Sequence, residues 1–180
     1  MRKSMPTVLI AILGLLATVI AVQLFLTRHR EESPQELVEL ALHGGGPAEQ
    51  EQAATRLEAL AGKAPGTESR NAVQPYLVRM LNESDNPGVR AAAMRGLATI
   101  WDYECMPKIL DSLEDPSLQV RQTAARVVAK LTEFDPRFDA NAPNEQRAET
   151  VKKMRDAWKR FQDRTLKNWQ RSLQEKDGKP

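Results

Sequence analysis

Few residues in this sequence have types and spacing that could do chemistry. Cys105 is the only cysteine, so neither a disulfide nor a cysteine-based metal site can form within the 180 residues. It reads as a small hydrophobe on a helix. The two histidines, His29 and His43, have no second ligand at metal-binding spacing, and His43, just before Gly44-Gly45-Gly46, suits the C-terminus of a helix. Carboxylate pairs such as Glu114-Asp115 fall where helices are expected to end, and capping accounts for them. There is no Gly-rich phosphate loop and no Gly-x-Ser-x-Gly elbow. The expectation is a protein that is not an enzyme and that carries no cofactor and no metal. One polar signature does recur: Val89-Arg90 returns as Val120-Arg121. Two exposed arginines would bind an anion, whereas two arginines fixed in a repeat would hold structure.

The surrounding residues recur too. Ala93, Leu97 and Ile100 return as Ala124, Val128 and Leu131, each 31 residues on. A period of this size marks stacked helical hairpins. Helix formers dominate and aromatic residues are only 5%, too few for a sandwich or barrel. Ser33-Pro34-Gln35-Glu36 has the form of a capping box with proline at the first helical position. This helix should end at Gly44–Gly46 with a left-handed glycine cap. Further helices are expected from Pro47 to Gly62 and over about 68–82, 87–100, 104–114 and 116–131. Asn86-Pro87 and Asp115-Pro116 supply N-cap and first-turn pairs. Val89, Ala92, Ala93, Gly96, Leu97 and Ile100 form a buried stripe, and Gly96 calls for the close approach of a neighbouring helix. Cys105–Leu113 aligns with Val73–Leu81 at an offset of 32. The helices over 87–100 and 104–114 are thus taken as partners.

The Asp-x-Pro-x-Val-Arg-x-x-Ala-Ala motif near 85–93, its variant at 115–125 and the stripes that follow resemble the HEAT repeat, in particular the short HEAT-like form named after phycobilisome lyases. The likeness covers about residues 33–140 and weakens at the front, where Glu49-Gln50 replace Val-Arg. It implies an all-α fold, a short α-solenoid of two to three hairpins. It further implies that Asp85 and Asp115 lie in inter-repeat turns, that Arg90 and Arg121 form a ladder bonding those turns, and that Pro87 and Pro116 open the following helices. The second helices would line the inner side and display Gln74, Arg79, Lys108 and Asp111 to a protein partner. Some relatives of the repeat are bilin lyases, which leaves a chaperone-like transferase as a minor alternative; fold alone does not carry that activity.

Residues 7–26 hold 20 residues without a charge. As a helix they would span roughly 30 Å, the thickness of a bilayer's hydrocarbon core. Arg2 and Lys3 precede this run; Arg28, His29 and Arg30 follow it. The run is longer than a signal-peptide core and Gln23–Thr27 offers no small-x-small site, so it reads as a retained single-pass anchor. The basic tail 1–6 would stay inside and the repeat domain, after a stem over 27–32, would be extracytoplasmic.

Charge is unevenly spread. The total of +2 implies no nucleic-acid partner, but residues 31–142 hold 11 Lys/Arg against 18 Asp/Glu, and residues 143–180 hold 11 against 6. From 141 to 175 a long amphipathic helix is expected, ahead of a disordered tail over 176–180. Val151, Met154, Trp158, Phe161, Thr165 and Trp169 follow helical spacing, opposite Lys152, Lys159 and Arg160. This helix has three readings: an end cap on the repeats, a strip lying on an anionic membrane surface, or a partner-binding or dimer helix. The functional expectation is a membrane-anchored scaffold or adaptor for protein–protein interaction, with lipid-surface binding as the alternative.

Overall fold

Proline and glycine punctuate the helices. The computed structural model describes residues 33–63, 67–132 and 137–177, together with Leu15 and Thr18. Helix α1 (Pro34–His43) opens on a proline, whose missing N–H would have had no intrahelical partner, with Glu36 in the first turn. It stops at Gly44, whose N–H donates to the Leu40 carbonyl at 2.9 Å. A Cβ on Gly44 would stand 2.5 Å from that oxygen, and its backbone is not left-handed. Close approach, not the expected left-handed cap, therefore requires the glycine. The chain continues as α2 (Pro47–Lys63), α3 (Thr67–Glu83), α4 (Pro87–Thr99), α5 (Met106–Asp111), α6 (Leu118–Thr132) and α7 (Asn144–Asp177). A 3-10 turn, Ser112–Glu114, extends α5.

The start of α4 follows its sequence signals: the Asn86 side chain accepts from Gly88 N at 2.8 Å, and Pro87 takes the first position. The start of α6 does not. Asp115-Pro116 is not its cap and first residue; the helix begins at Leu118, and Arg121 N donates to Ser117 O at 3.1 Å. Ser117 thus stands where Asn86 stands. Asp115 Oδ1 accepts from Ser117 N at 2.8 Å, a side-chain turn that sets Pro116 outside the helix.

The described helices form three hairpins: α1 packs on α2, α3 on α4, and α5 with its 3-10 turn on α6. Helices α2, α4 and α6 stack side by side in one layer; α1 and α3 pack together in the other, where α7 covers α5 and the 3-10 turn. The pairing differs from the one expected. Residues 84–86 and 115–117 are tight turns inside hairpins, folding α4 back on α3 and α6 back on α5. The link loop 100–105 is what carries the chain from one hairpin to the next.

Helix α4 lies at the centre, between α2, α3 and α6. Its buried surface is wider than one stripe and includes Val89, Ala91, Ala92, Ala93, Met94, Gly96, Leu97 and Ala98. Small residues let three neighbours approach at once. At Gly96 an added Cβ would stand 2.7 Å from Leu77 Cδ2 of α3, whose side chain is fully buried. Glycine in mid-helix costs about 1 kcal/mol against alanine, and this contact is the reason it is kept. On α7, Val151, Met154 and Trp158 are buried and Phe161 half-buried, while residues 162–168 are exposed.

The chain divides into two units, Met1–Ser33 and Pro34–Pro180. In the first, Leu15 and Thr18 are helical and exposed, and the Thr18 hydroxyl donates to Leu15 O at 2.7 Å. The expected membrane helix over 7–26 and stem over 27–32 otherwise lie outside the described residues, as do residues 178–180 of the tail. Among the described residues no helix is long and apolar enough to cross a membrane.

Gly96→Val should therefore drive a branched side chain into Leu77 and cost about 2 kcal/mol of stability, read as a lower urea midpoint. An unchanged midpoint would show that α3 and α4 are not closely packed there.

Candidate interaction surface

The recurring arginines build the tie between hairpins. Gln50, Arg90 and Arg121 occupy the fourth position of α2, α4 and α6. Each reaches back to the carbonyl six residues earlier: Gln50 Nε2 to Gly44 O at 3.4 Å, Arg90 Nη1 to Ser84 O at 3.0 Å, and Arg121 Nη1 to Asp115 O at 2.8 Å. The arginines also bond the next carbonyl, Arg90 to Asp85 O at 2.9 Å and Arg121 to Pro116 O at 2.9 Å. These tight-turn carbonyls have no helical partner, so the side chains satisfy them.

Each of the three also meets the following turn. Arg90 forms a two-pronged bond to Asp115, Nε to Oδ2 at 3.1 Å and Nη2 to Oδ1 at 2.9 Å. Arg121 Nε donates to Ala140 O at 2.9 Å. At the front the direction reverses: Asn86 Nδ2 donates to Gln50 Oε1 at 3.3 Å and to Pro47 O at 3.1 Å. The arginine ladder implied by resemblance is present, with Gln50 as its first, neutral rung. Asp85 is exposed and contributes its carbonyl to Arg90. The two guanidinium groups are engaged inside the stack, which does not favour the anion-site reading.

At the opposite end the link loop is held by a carboxylate that sequence reasoning missed. Asp102 is fully buried. It accepts from Gln74 Nε2 at 3.0 Å, Arg70 Nη2 at 3.4 Å, Glu104 N at 3.0 Å and Cys105 Sγ at 3.1 Å. Arg70 also bridges Glu104 at 3.1 Å. Burial pushes the Cys105 thiol well above its ordinary range, and the Asp102 carboxylate that accepts its hydrogen bond adds to the shift. The anchored Asp102 separates two displayed aromatic residues. Trp101 is half-exposed with φ 53°, unusual for a bulky residue, and Lys130 Nζ lies 5.7 Å from its ring centre. Tyr103 stacks on Trp158 and Phe161 of α7, with centroids 6.1 and 5.8 Å away. Together with Leu166 these rings line an open apolar cleft of ≈670 Å³.

The residues proposed from sequence to meet a partner are dispersed. Gln74 is engaged with Asp102. Arg79 of α3 binds Glu39 of α1 and Glu83, and its hydrogen bond holds the Glu39 carboxyl below the usual range. Asp111 accepts from Arg155 of α7 at 2.7 Å. Lys108 is exposed. On α7, Trp158 is in the aromatic stack while Lys152, Lys159 and Arg160 are exposed. The side chain of Trp169 lies outside the described residues. Among the described residues no cluster of His, Cys, Asp or Glu converges as a metal site.

Stacked antiparallel hairpins tied at their turns by a repeated arginine define a helical-repeat protein. The chain belongs to the HEAT repeats, whose family model matches residues 74–173, more than half of its length. No curated protein and no solved structure matches it.

Two outcomes follow from this geometry. Arg90→Lys keeps the charge but loses the fork, and should lower stability by about 1–2 kcal/mol in urea titration; an unchanged midpoint would remove the ladder's role. Cys105 should react with iodoacetamide on the order of 100-fold more slowly in the native chain than in urea, and equal rates would contradict its burial.

Proposed function

We propose that the protein is a non-enzymatic scaffold: a single-pass membrane protein that displays a short HEAT-repeat solenoid, outside the cytoplasm, for association with another protein. The uncharged run over 7–26, with Arg2 and Lys3 before it and Arg28 and Arg30 after it, supports the anchor. HEAT repeats commonly mediate protein–protein interaction, which supports the role. The observation that carries the reading is the engagement of Arg90 and Arg121 within the stack. With the recurring residues occupied by stacking, recognition falls to residues that vary between repeats. The outer side of α3 and α5 supplies such a surface: Lys108 is exposed at the position where α3 carries a half-buried Tyr76. From the lyase-type resemblance only the stacking unit is carried over.

Two measurements test this reading. Carbonate extraction of membranes should leave the full chain in the pellet, and release into the supernatant would refute the anchor. Cross-linking in cells should capture a protein partner whose yield falls several-fold with Lys108→Glu at unchanged thermal stability. Partner yields indifferent to Lys108→Glu would exclude the α3–α5 surface.

A further inference from the structure

One end of the solenoid combines features that the scaffold reading does not use. The α1–α2 turn, at the start of α2, meets the α3–α4 turn through the bond from Asn86 to the Pro47 carbonyl. Pro34, a ten-residue helix away, is therefore at the opposite end, with the link loop 100–105. Helix α7 runs toward the same end. Its start lies by Ala140, which binds Arg121; Arg155 then reaches Asp111, and Trp158 and Phe161 meet Tyr103. Past Leu166 the helix extends to Asp177. The link-loop end is thus where the chain enters the solenoid and where α7 projects from it.

The same end holds most of the exposed apolar surface. Among the described residues of the solenoid unit, the exposed large hydrophobic residues are Trp101, Tyr103, Leu118 and Leu166. Three of these four are at the link-loop end; Leu118 is at the turn end. Exposed Lys63 and Lys130 lie at the C-termini of α2 and α6, and Arg164, Lys167 and Arg171 line the projecting part of α7. The acids at this end are Glu36 in the first turn of α1, Glu104, paired with Arg70, and Asp163. The turn end shows Glu49, Asp85, Glu114 and Asp139 instead. Aromatic rings with basic side chains are the composition of a surface that meets lipid headgroups.

We propose that the link-loop end, Trp101, Tyr103 and Leu166 with the basic distal part of α7, docks on the headgroup layer of an anionic bilayer. The proposal rests on the anchor reading of residues 7–26 and adds to it a surface. Tethering makes the encounter intramolecular, and a weak affinity is then enough. Asp102 fixes the loop from within, so Trp101 is presented without further ordering of the backbone. Phosphate headgroups are the anionic partner that Arg164, Lys167 and Arg171 would meet.

The test uses the full chain in phosphatidylcholine vesicles, with or without phosphatidylglycerol, containing lipid spin-labelled near the headgroup. The Trp101 signal is the difference in fluorescence between the chain and its Trp101→Phe variant. Quenching of Trp101 should be several-fold stronger with phosphatidylglycerol and should be lost in high salt. The variant R164E/K167E/R171E, with an unchanged melting temperature, should lose about tenfold or more of the docked population. Equal quenching in neutral and anionic vesicles, or indifference to the charge reversal, would overturn the proposal. A Trp101 shift that depends on protein concentration without lipid would also overturn it, assigning this end to a second copy. Carbonate extraction on the same samples reports the anchor separately: a chain released by carbonate yet still quenched in an anionic-lipid-dependent way would refute the anchor and keep the docking.

Discussion

The rest of the structure depends on how three tight turns are tied. A turn between antiparallel helices leaves carbonyls that no helix can satisfy. Here the fourth residue of the returning helix bonds them, and the same side chain meets the next turn. Arg90 does both through one planar group, gripping the Ser84 and Asp85 carbonyls and the Asp115 carboxylate. A lysine has no such fork. The tie fixes the spacing of α2, α4 and α6, and with it the packing of Val89, Leu97, Val120 and Val128 between them. Repeat proteins gain stability from each such nearest-neighbour interface.

Fixing the turns leaves the two ends of each hairpin with different work. At the turn end, polar groups are directed inward at backbone. At the link-loop end a single buried carboxylate, Asp102, holds the chain, and the surface is open to aromatic display. The recurring arginines stack the hairpins at one end, and Trp101 and Tyr103, which do not recur, are exposed at the other.

What was legible in the sequence follows from locality. The 31-residue spacing, the Asn86-Pro87 start and the role of Gly96 are set by neighbours along one helix or by the repeat itself. Gln50 aligns with Arg90 in the sequence but reads there as a weakening of the repeat; its place as the first rung shows only in its bonds to Gly44 and Asn86. The hairpin pairing was not visible, because spacing alone does not say whether a helix packs on its predecessor or its successor; turn length decides it. Asp115-Pro116 misled because a proline usually opens a helix, whereas here the Asp115 carboxylate is shared by Ser117 N–H and Arg90. Asp102 left no signal, since its partners Arg70 and Gln74 come from a helix 28 or more residues earlier. Gln74 accordingly reads as partner-facing from the sequence, whereas it lies against that carboxylate.

The central claim is that the recurring arginine is a stacking device acting across hairpins. A double-mutant cycle in urea on Arg90→Ala and Asp115→Ala measures it directly. The account predicts a coupling of about 1–3 kcal/mol between the two substitutions, as for residues in one hydrogen-bonded network. Additive effects, within about 0.5 kcal/mol, would contradict it and leave the motif without its structural role.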